Sequence, residues 1–130
     1  MIFHFAGVNY MRLKNILIVV SDIERSKRFY CNLFGLTVVT DFDDNVILTE
    51  GLVLQEKSSW EKLIGRTSKC SECSCELYFE ENNFDEFLEI LESYQDIVEY
   101  LNPCENIAGV RVVRIFDPDK HVIEIKEKKY

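Results

Sequence analysis

The sequence predicts an α+β fold in which two βαβββ modules form curved mixed sheets around a cleft. Runs rich in β-branched residues alternate with segments whose apolar residues recur at helical spacing. This order of elements occurs twice along the chain, and both predicted helices begin at similar capping residues. The chain has 130 residues, of which 47% are hydrophobic, so one compact domain with a substantial core is expected.

Residues 11–57 are predicted to form the first module. The segment Leu13–Val20 is apolar on both faces, which is typical of a central, covered strand. Ser21 to Glu24 has the S-x-x-E form of a capping box, and the helix that follows should end before Gly35. Three short strands are then predicted, with turn residues between them, at Leu36–Thr40, Asn45–Leu48 and Leu52–Glu56.

Residues 73–127 repeat this order as the second module. The first strand is predicted at Cys73–Phe79, and Asn83 is a predicted N-cap with Glu86 at position N3. The closing strands are expected at Ile97–Leu101, Val110–Phe116 and Val122–Lys126, with turns at Asn102-Pro103 and at Asp117-Pro118-Asp119. Residues 58–72 would be a linker with room for a short helix. Residues 1–10 would be an N-terminal extension or an added edge strand.

Composition excludes several classes of function. A net charge of −8 argues against nucleic-acid binding, because contacts with phosphates need a basic surface. No segment approaches the roughly 20 apolar residues of a membrane helix, so no membrane association is expected. Five cysteines without a secretory signal indicate reduced thiols in a cytoplasmic protein. The cluster of Cys70, Cys73 and Cys75 lacks a fourth zinc ligand at a defined spacing, so ordinary packing is the favoured interpretation.

Three motifs together resemble the glyoxalase / bleomycin-resistance / extradiol-dioxygenase superfamily, also called vicinal oxygen chelate proteins. They are IVVSDIERSKRFY at residues 18–30, LFGL at 33–36 and FDPDKHVIE at 116–124. The resemblance extends from Met11 to Glu127, with Lys120 where the family usually has glycine. His121 lies in the closing turn, where a structural hydrogen bond is the expected role.

The resemblance implies metal-ligand positions on the first and last strand of each module. These positions carry Asn15, Gln55, Glu76 and Glu124. Only Glu124 keeps the usual identity, while Asn15 and Glu76 (or Ser74 under a different gap) stand where the family has histidine. Ligands that bind only through oxygen suit harder divalent cations better than zinc or nickel. The residue types therefore weaken the prediction of a divalent metal at these four positions.

Two functions follow from the resemblance. The first is a metal-dependent lyase or isomerase of the lactoylglutathione-lyase type, with Glu124 and Glu76 as catalytic carboxylates. If these two converge, their repulsion would favour one of them as a general base. The alternative is a metal-free protein that binds or sequesters a small, cationic or aromatic molecule, as the bleomycin-resistance branch does. A fosfomycin-type transferase fits less well without the histidines.

The resemblance further implies a homodimer. It leaves open whether the cleft forms within one chain or across two.

Overall fold

A computed structural model of the protein describes residues 11–67 and 75–129. The strands are β1 Ile16–Val20, β2 Val38–Asp41, β3 Asn45–Leu48, β4 Leu52–Glu56, β5 Glu76–Glu81, β6 Glu99–Ile107, β7 Val110–Phe116 and β8 Val122–Glu127. The helices are α1 Ile23–Phe34, α2 Lys57–Ile64 and α3 Phe84–Ser93. None of these helices is long and apolar enough to cross a membrane.

The strands form two four-stranded mixed sheets with equivalent topology. The strand order is β1-β4-β3-β2 in the first sheet and β5-β8-β7-β6 in the second. In each sheet the first strand pairs in parallel with the last, and the other pairings are antiparallel. The predicted α+β fold with two βαβββ modules is therefore confirmed. Within the described residues the two sheets do not close on each other, because β1 and β5 each pair on one side only.

One hydrophobic core extends across both modules. In each sheet, alternate residues of the central strands are buried on the same side as α1 and α3. At the junction of the modules, Phe34 at the end of α1 stacks on Phe79 of β5, with ring centroids 4.5 Å apart. Phe34 also lies 5.9 Å from the ring of Phe87 on α3. The helices therefore join the two modules through aromatic packing.

A buried polar network also joins the modules. The hydroxyl of Tyr30 on α1 donates a hydrogen bond of 2.7 Å to Asp117, at the end of β7. His121 Nδ1 lies 2.7 Å from the same carboxylate, and its backbone N–H donates to the other oxygen. Asp117 is only 3% exposed, so these partners satisfy a carboxylate that water does not reach. The structural role predicted for His121 is confirmed.

The start of α1 differs from the prediction. The N-cap is Asp22, whose side chain accepts a hydrogen bond from the backbone N–H of Arg25, so the capping box predicted to begin at Ser21 is wrong by one residue. The hydroxyl of Ser21 instead donates to Asp119 in the β7–β8 turn, at 2.6 Å. The Ser21 hydroxyl, which the capping-box motif predicted to cap α1, therefore makes a tertiary contact with the β7–β8 turn instead. Gly35 ends the helix with φ = 68°, as predicted.

Strand β6 also differs from the prediction. It continues to Ile107, so the turn predicted at Asn102-Pro103 is wrong, and the chain reverses at Ala108 and Gly109. Register shifts on both sides of Asn102 mark irregular pairing with β7. Pro103 is tolerated there because β6 is an edge strand, where a missing N–H donor interrupts few ladder bonds.

The first strands of both modules begin later than predicted. Strand β1 starts at Ile16 rather than Leu13, and β5 starts at Glu76, with Cys75 before it outside the strand; the predicted start at Cys73 lies outside the described residues. The short helix for which the predicted linker has room is α2. Strands β3, β4 and β7 have the predicted bounds. The extension at residues 1–10, and Cys70 and Cys73, lie outside the described residues.

Candidate functional site

The second sheet has one face that is turned away from the core. Ile123 and Ile125 are buried in the core, so the intervening Glu124 projects to the opposite face. On that face Glu124 is paired across the sheet with Tyr78 of β5 on one side and Arg114 of β7 on the other. We call this face, which carries Glu76, Tyr78, Arg114, Glu124 and Lys126, the open face.

Arg114 lies between the two predicted catalytic carboxylates. Its Nε donates to Glu76 Oε1 at 3.1 Å, and its Nη2 donates to Glu124 Oε1 at 2.5 Å. The side chains of Arg114 and Glu76 are both 32% exposed, and that of Glu124 is 15% exposed. The hydrogen bond that Arg114 donates to Glu76 and the charges of both carboxylates raise the pKa of Arg114 above its ordinary value, against the effect of desolvation. The guanidinium therefore stays charged.

The structure thus brings Glu76 and Glu124 together, but with a cation between them. The mutual repulsion expected from the sequence is offset, because each carboxylate has Arg114 as its nearest charged partner. The three groups together carry a formal charge of −1. Their open side presents carboxylate acceptors and guanidinium donors next to each other.

Gln55 lies in the first sheet and is only 3% exposed. Its Oε1 accepts a hydrogen bond from Asn45 Nδ2, and its Nε2 donates to Ser59 Oγ, both at 2.6 Å. Ser59 belongs to α2, which packs against β4 and β1. The amide nitrogen therefore holds α2 on the sheet, and the amide oxygen joins β4 to Asn45 of β3.

Asn15 is exposed and immediately precedes β1. Its side chain lies near Gly51, which immediately precedes β4, whereas Gln55 is paired with Val19 near the end of β1. Val19, the partner of Gln55, lies four residues beyond Asn15. At the rise of a strand, this separates Asn15 and Gln55 by about 13 Å along the strand direction. In the second sheet, by contrast, Glu124 lies only two residues beyond Val122, the partner of Glu76.

These positions do not fit a shared metal ion. Asn15 and Gln55 lie at opposite ends of the β1–β4 pair, the amide oxygen and nitrogen of Gln55 both have protein partners, and Arg114 occupies the space between the carboxylates. Across the described segments no three His, Cys, Asp or Glu side chains are grouped so as to hold a metal. We therefore derive no chemistry through a metal ion.

A groove runs between the unpaired edges of β1 and β5. Its volume is about 790 Å³, within the range of small-molecule sites, and Asn15 and Glu76 both line it. Its floor includes the Phe34 and Phe79 rings that join the modules. Glu76 therefore borders both this groove and the ion pairs of the open face.

Sequence reasoning missed Arg114. A usable signal exists, because Arg114 interrupts the apolar strand VRVVRIF in the same way as Glu124 interrupts VIEIKE. Opposite charges on neighbouring strands often form cross-strand pairs. The register between β7 and β8 was nevertheless needed to show that these two residues face each other.

Comparisons with known proteins agree with this architecture. Residues 13–129 match the family model described as a glyoxalase-like domain. A protein of unknown function from Agrobacterium tumefaciens is 33% identical, with a TM-score of 0.80; the match covers 94% of this chain and 98% of that one. Among curated protein sequences nothing matches the chain.

Two further solved structures share the fold at lower identity. The genomically encoded fosfomycin resistance protein FosX from Listeria monocytogenes is 16% identical, with a TM-score of 0.71 and coverage of 93% and 96% of the two chains. A lactoylglutathione lyase from Agrobacterium tumefaciens is 19% identical, with a TM-score of 0.69 and coverage of 89% and 92%. The family match covers most of this chain, and the chain therefore belongs to the glyoxalase-like domain family.

Proposed function

We propose that the protein binds a small organic molecule on the open face of the second sheet without using a divalent metal. The observation that carries the proposal is the pair of contacts from Arg114 to Glu76 and Glu124. A fixed guanidinium there supplies the positive charge that a metal ion would otherwise bring between the carboxylates. The site is then a preformed set of donors and acceptors beside the 790 Å³ groove.

The chemistry of the open face favours a ligand with a positive charge and an aromatic or apolar body. Glu76 and Glu124 exceed Arg114 by one negative charge; Lys126 balances the open face as a whole but is paired with Val112, beyond the Arg114–Glu124 pair, so the negative excess is local to the two carboxylates. Tyr78, paired with Glu124, is 74% exposed and offers its ring for stacking or for a cation–π contact. Similar structures include proteins named for fosfomycin resistance and for glyoxalase/bleomycin resistance, which supports a small-molecule ligand.

The competing function is a metal-dependent lyase or isomerase with Glu76 and Glu124 as its catalytic carboxylates. One specific observation favours it: the two carboxylates are close enough to share one partner. It would require Arg114 to leave both carboxylates and the buried amide of Gln55 to lose its two hydrogen bonds.

The test combines metal analysis with ligand titration. We expect protein purified without chelator to contain no stoichiometric divalent ion. Phenethylamine should raise the unfolding temperature more than 3-phenylpropionate does, because only the amine complements the excess carboxylate. Glu124→Gln should weaken binding of the amine about tenfold, as expected for the loss of one charge-assisted contact.

Glu89→Gln is the matched control, since Glu89 is exposed on α3 away from the open face. It should bind the amine as the wild type does. A stoichiometric metal that is lost in Glu124→Gln would favour the lyase instead. Equal increases in unfolding temperature with phenethylamine and with 3-phenylpropionate would contradict the proposed ligand class.

A further inference from the structure

A second groove, of about 580 Å³, lies between α1 and the second module. It shares no lining residue with the groove between β1 and β5 and contains none of the residues proposed above for ligand binding. We call it the basic groove, because the charged side chains on its rim are mostly cationic. Its lining includes Arg25, Arg28, Phe29, Ile97, Phe116 and Lys120.

The walls of the basic groove are apolar. Phe29 and Leu33 come from α1, Tyr94 and Ile97 follow α3, and Phe116 ends β7. Ile97 is 76% exposed although it is a large aliphatic side chain, so part of this wall is open to solvent. A volume of this size with apolar walls is suited to the body of a small organic molecule.

Two arginines of α1 lie on the rim with unused hydrogen-bonding capacity. Arg25 and Arg28 are three residues apart, which places them side by side on the helix surface. The Nε of Arg25 is buried and has no acceptor, while its Nη2 donates to Ser21 Oγ at 2.8 Å. Among the residues that the structure describes, no carboxylate forms an ion pair with Arg28.

The acidic residues near the basic groove are already occupied. Glu99 pairs with Lys120, whose ammonium also lies 5.6 Å from the centre of the Phe116 ring. Asp117 is buried and accepts hydrogen bonds from Tyr30 and His121. Asp119, 3.5 Å from Arg25, accepts from Ser21. Since Asp119 pairs with Arg25 and Glu99 with Lys120, Arg28 is the rim cation left for a ligand, among the residues that the structure describes.

We propose that the basic groove binds a small amphipathic anion, with an apolar or aromatic body against Phe29, Ile97 and Phe116. Its carboxylate or sulfonate oxygens accept hydrogen bonds from Arg28 and from the unpartnered Nε of Arg25. Binding would compensate the charge of Arg28 and satisfy the buried Nε of Arg25. This site is independent of the open face, which favours a cation.

The test is a fluorescence titration with 8-anilino-1-naphthalenesulfonate and with its uncharged parent, N-phenyl-1-naphthylamine. We expect the sulfonate to bind one site per folded chain. Arg28→Gln should raise its dissociation constant about tenfold, through loss of a charge-assisted hydrogen bond, and should leave that of the uncharged probe unchanged. Ile97→Asn should weaken both probes, since it removes apolar wall.

Arg66→Gln is the matched control, because Arg66 is an exposed arginine outside the basic groove. Thermal melts of each variant, followed by circular dichroism, establish that the chain stays folded. The proposal is overturned if Arg28→Gln and Arg66→Gln behave alike, or if Arg28→Gln weakens both probes equally. It is also overturned if Glu124→Gln abolishes sulfonate binding, or if binding falls as the protein concentration rises, since the groove would then be an interface between copies of the chain.

Discussion

At the scale of single residues, Arg114 sets the charge balance of the open face. It is the shared partner of two carboxylates that are partly shielded from water. Ion pairs in such positions gain modest energy when intact, but loss of one partner leaves the other charges poorly compensated. Arg114 therefore supports both the stability of this sheet and the binding site proposed on it.

Replacing Arg114 by methionine is expected to lower the free energy of unfolding by about 1–2 kcal/mol, because Glu76 and Glu124 would then repel each other without a cation between them. Urea denaturation measures the loss. Adding Glu124→Gln to this variant should restore part of the stability, since one of the repelling charges is removed. Arg66→Met, at an exposed position, should stay within about 0.5 kcal/mol of the wild type. A double variant less stable than Arg114→Met alone would contradict the explanation.

At the scale of elements, the start of α3 is set by local capping contacts, whereas the start of α1 also depends on a tertiary hydrogen bond. Asn83 caps α3 as its sequence predicts, with its side-chain oxygen accepting from the backbone N–H of Glu86 and its Nδ2 donating to the Glu86 carboxylate. These contacts satisfy the first turn of the helix, which buries Phe84 and Phe87 in the core. The N-cap of α1 is Asp22 rather than the predicted Ser21, because the Ser21 hydroxyl donates a hydrogen bond to Asp119 in the β7–β8 turn.

Asn83→Ala is expected to lower the free energy of unfolding by about 1 kcal/mol, the usual effect of removing a capping side chain. Asn83→Asp should retain most of the stability, because aspartate caps helices equally well. Asn82→Ala, one residue earlier and exposed, is the matched control. Denaturation midpoints in urea compare the three variants. If Asn83→Ala and Asn82→Ala destabilised the protein equally, the cap would have no special role.

At the scale of the whole molecule, Asp117 connects the two modules. It accepts hydrogen bonds from Tyr30 of the first module and from His121 of the second. Burial lowers the pKa of His121, but its hydrogen bond with Asp117 and the charges of Asp117 and Asp119 outweigh burial, and the pKa is raised. Burial and the charge of Asp117 also raise the pKa of Tyr30.

The raised pKa of His121 predicts a pH-dependent stability. The folded state binds the imidazole proton more tightly than the unfolded state, so this contribution is fully present below the unfolded pKa of about 6.5. This stabilising contribution should be lost as the pH rises through the higher pKa of His121 in the folded state. The difference in urea midpoint between the wild type and His121→Gln should therefore shrink from about pH 6 towards pH 8. Parallel pH profiles of the two proteins would show that protonated His121 does not stabilise the fold.

Much of the fold follows from local patterns. The periodicity of apolar residues predicted both βαβββ modules and the bounds of β3, β4 and β7. The capping side chain of Asn83 and the freedom of Gly35 to take a positive φ marked two helix ends. These features depend on neighbours within a few residues, so they can be read along the chain.

The candidate site depended on contacts between distant residues. Whether Asn15 meets Gln55, and whether a cation lies between Glu76 and Glu124, is decided by which residues pair across the strands. Strand register and the docking of α2 over Gln55 are set by long-range hydrogen bonds and packing, which leave no local signature. The chain's own pattern therefore established two modules with Glu124 on a face away from the core. The tertiary structure decided that its partner is Arg114.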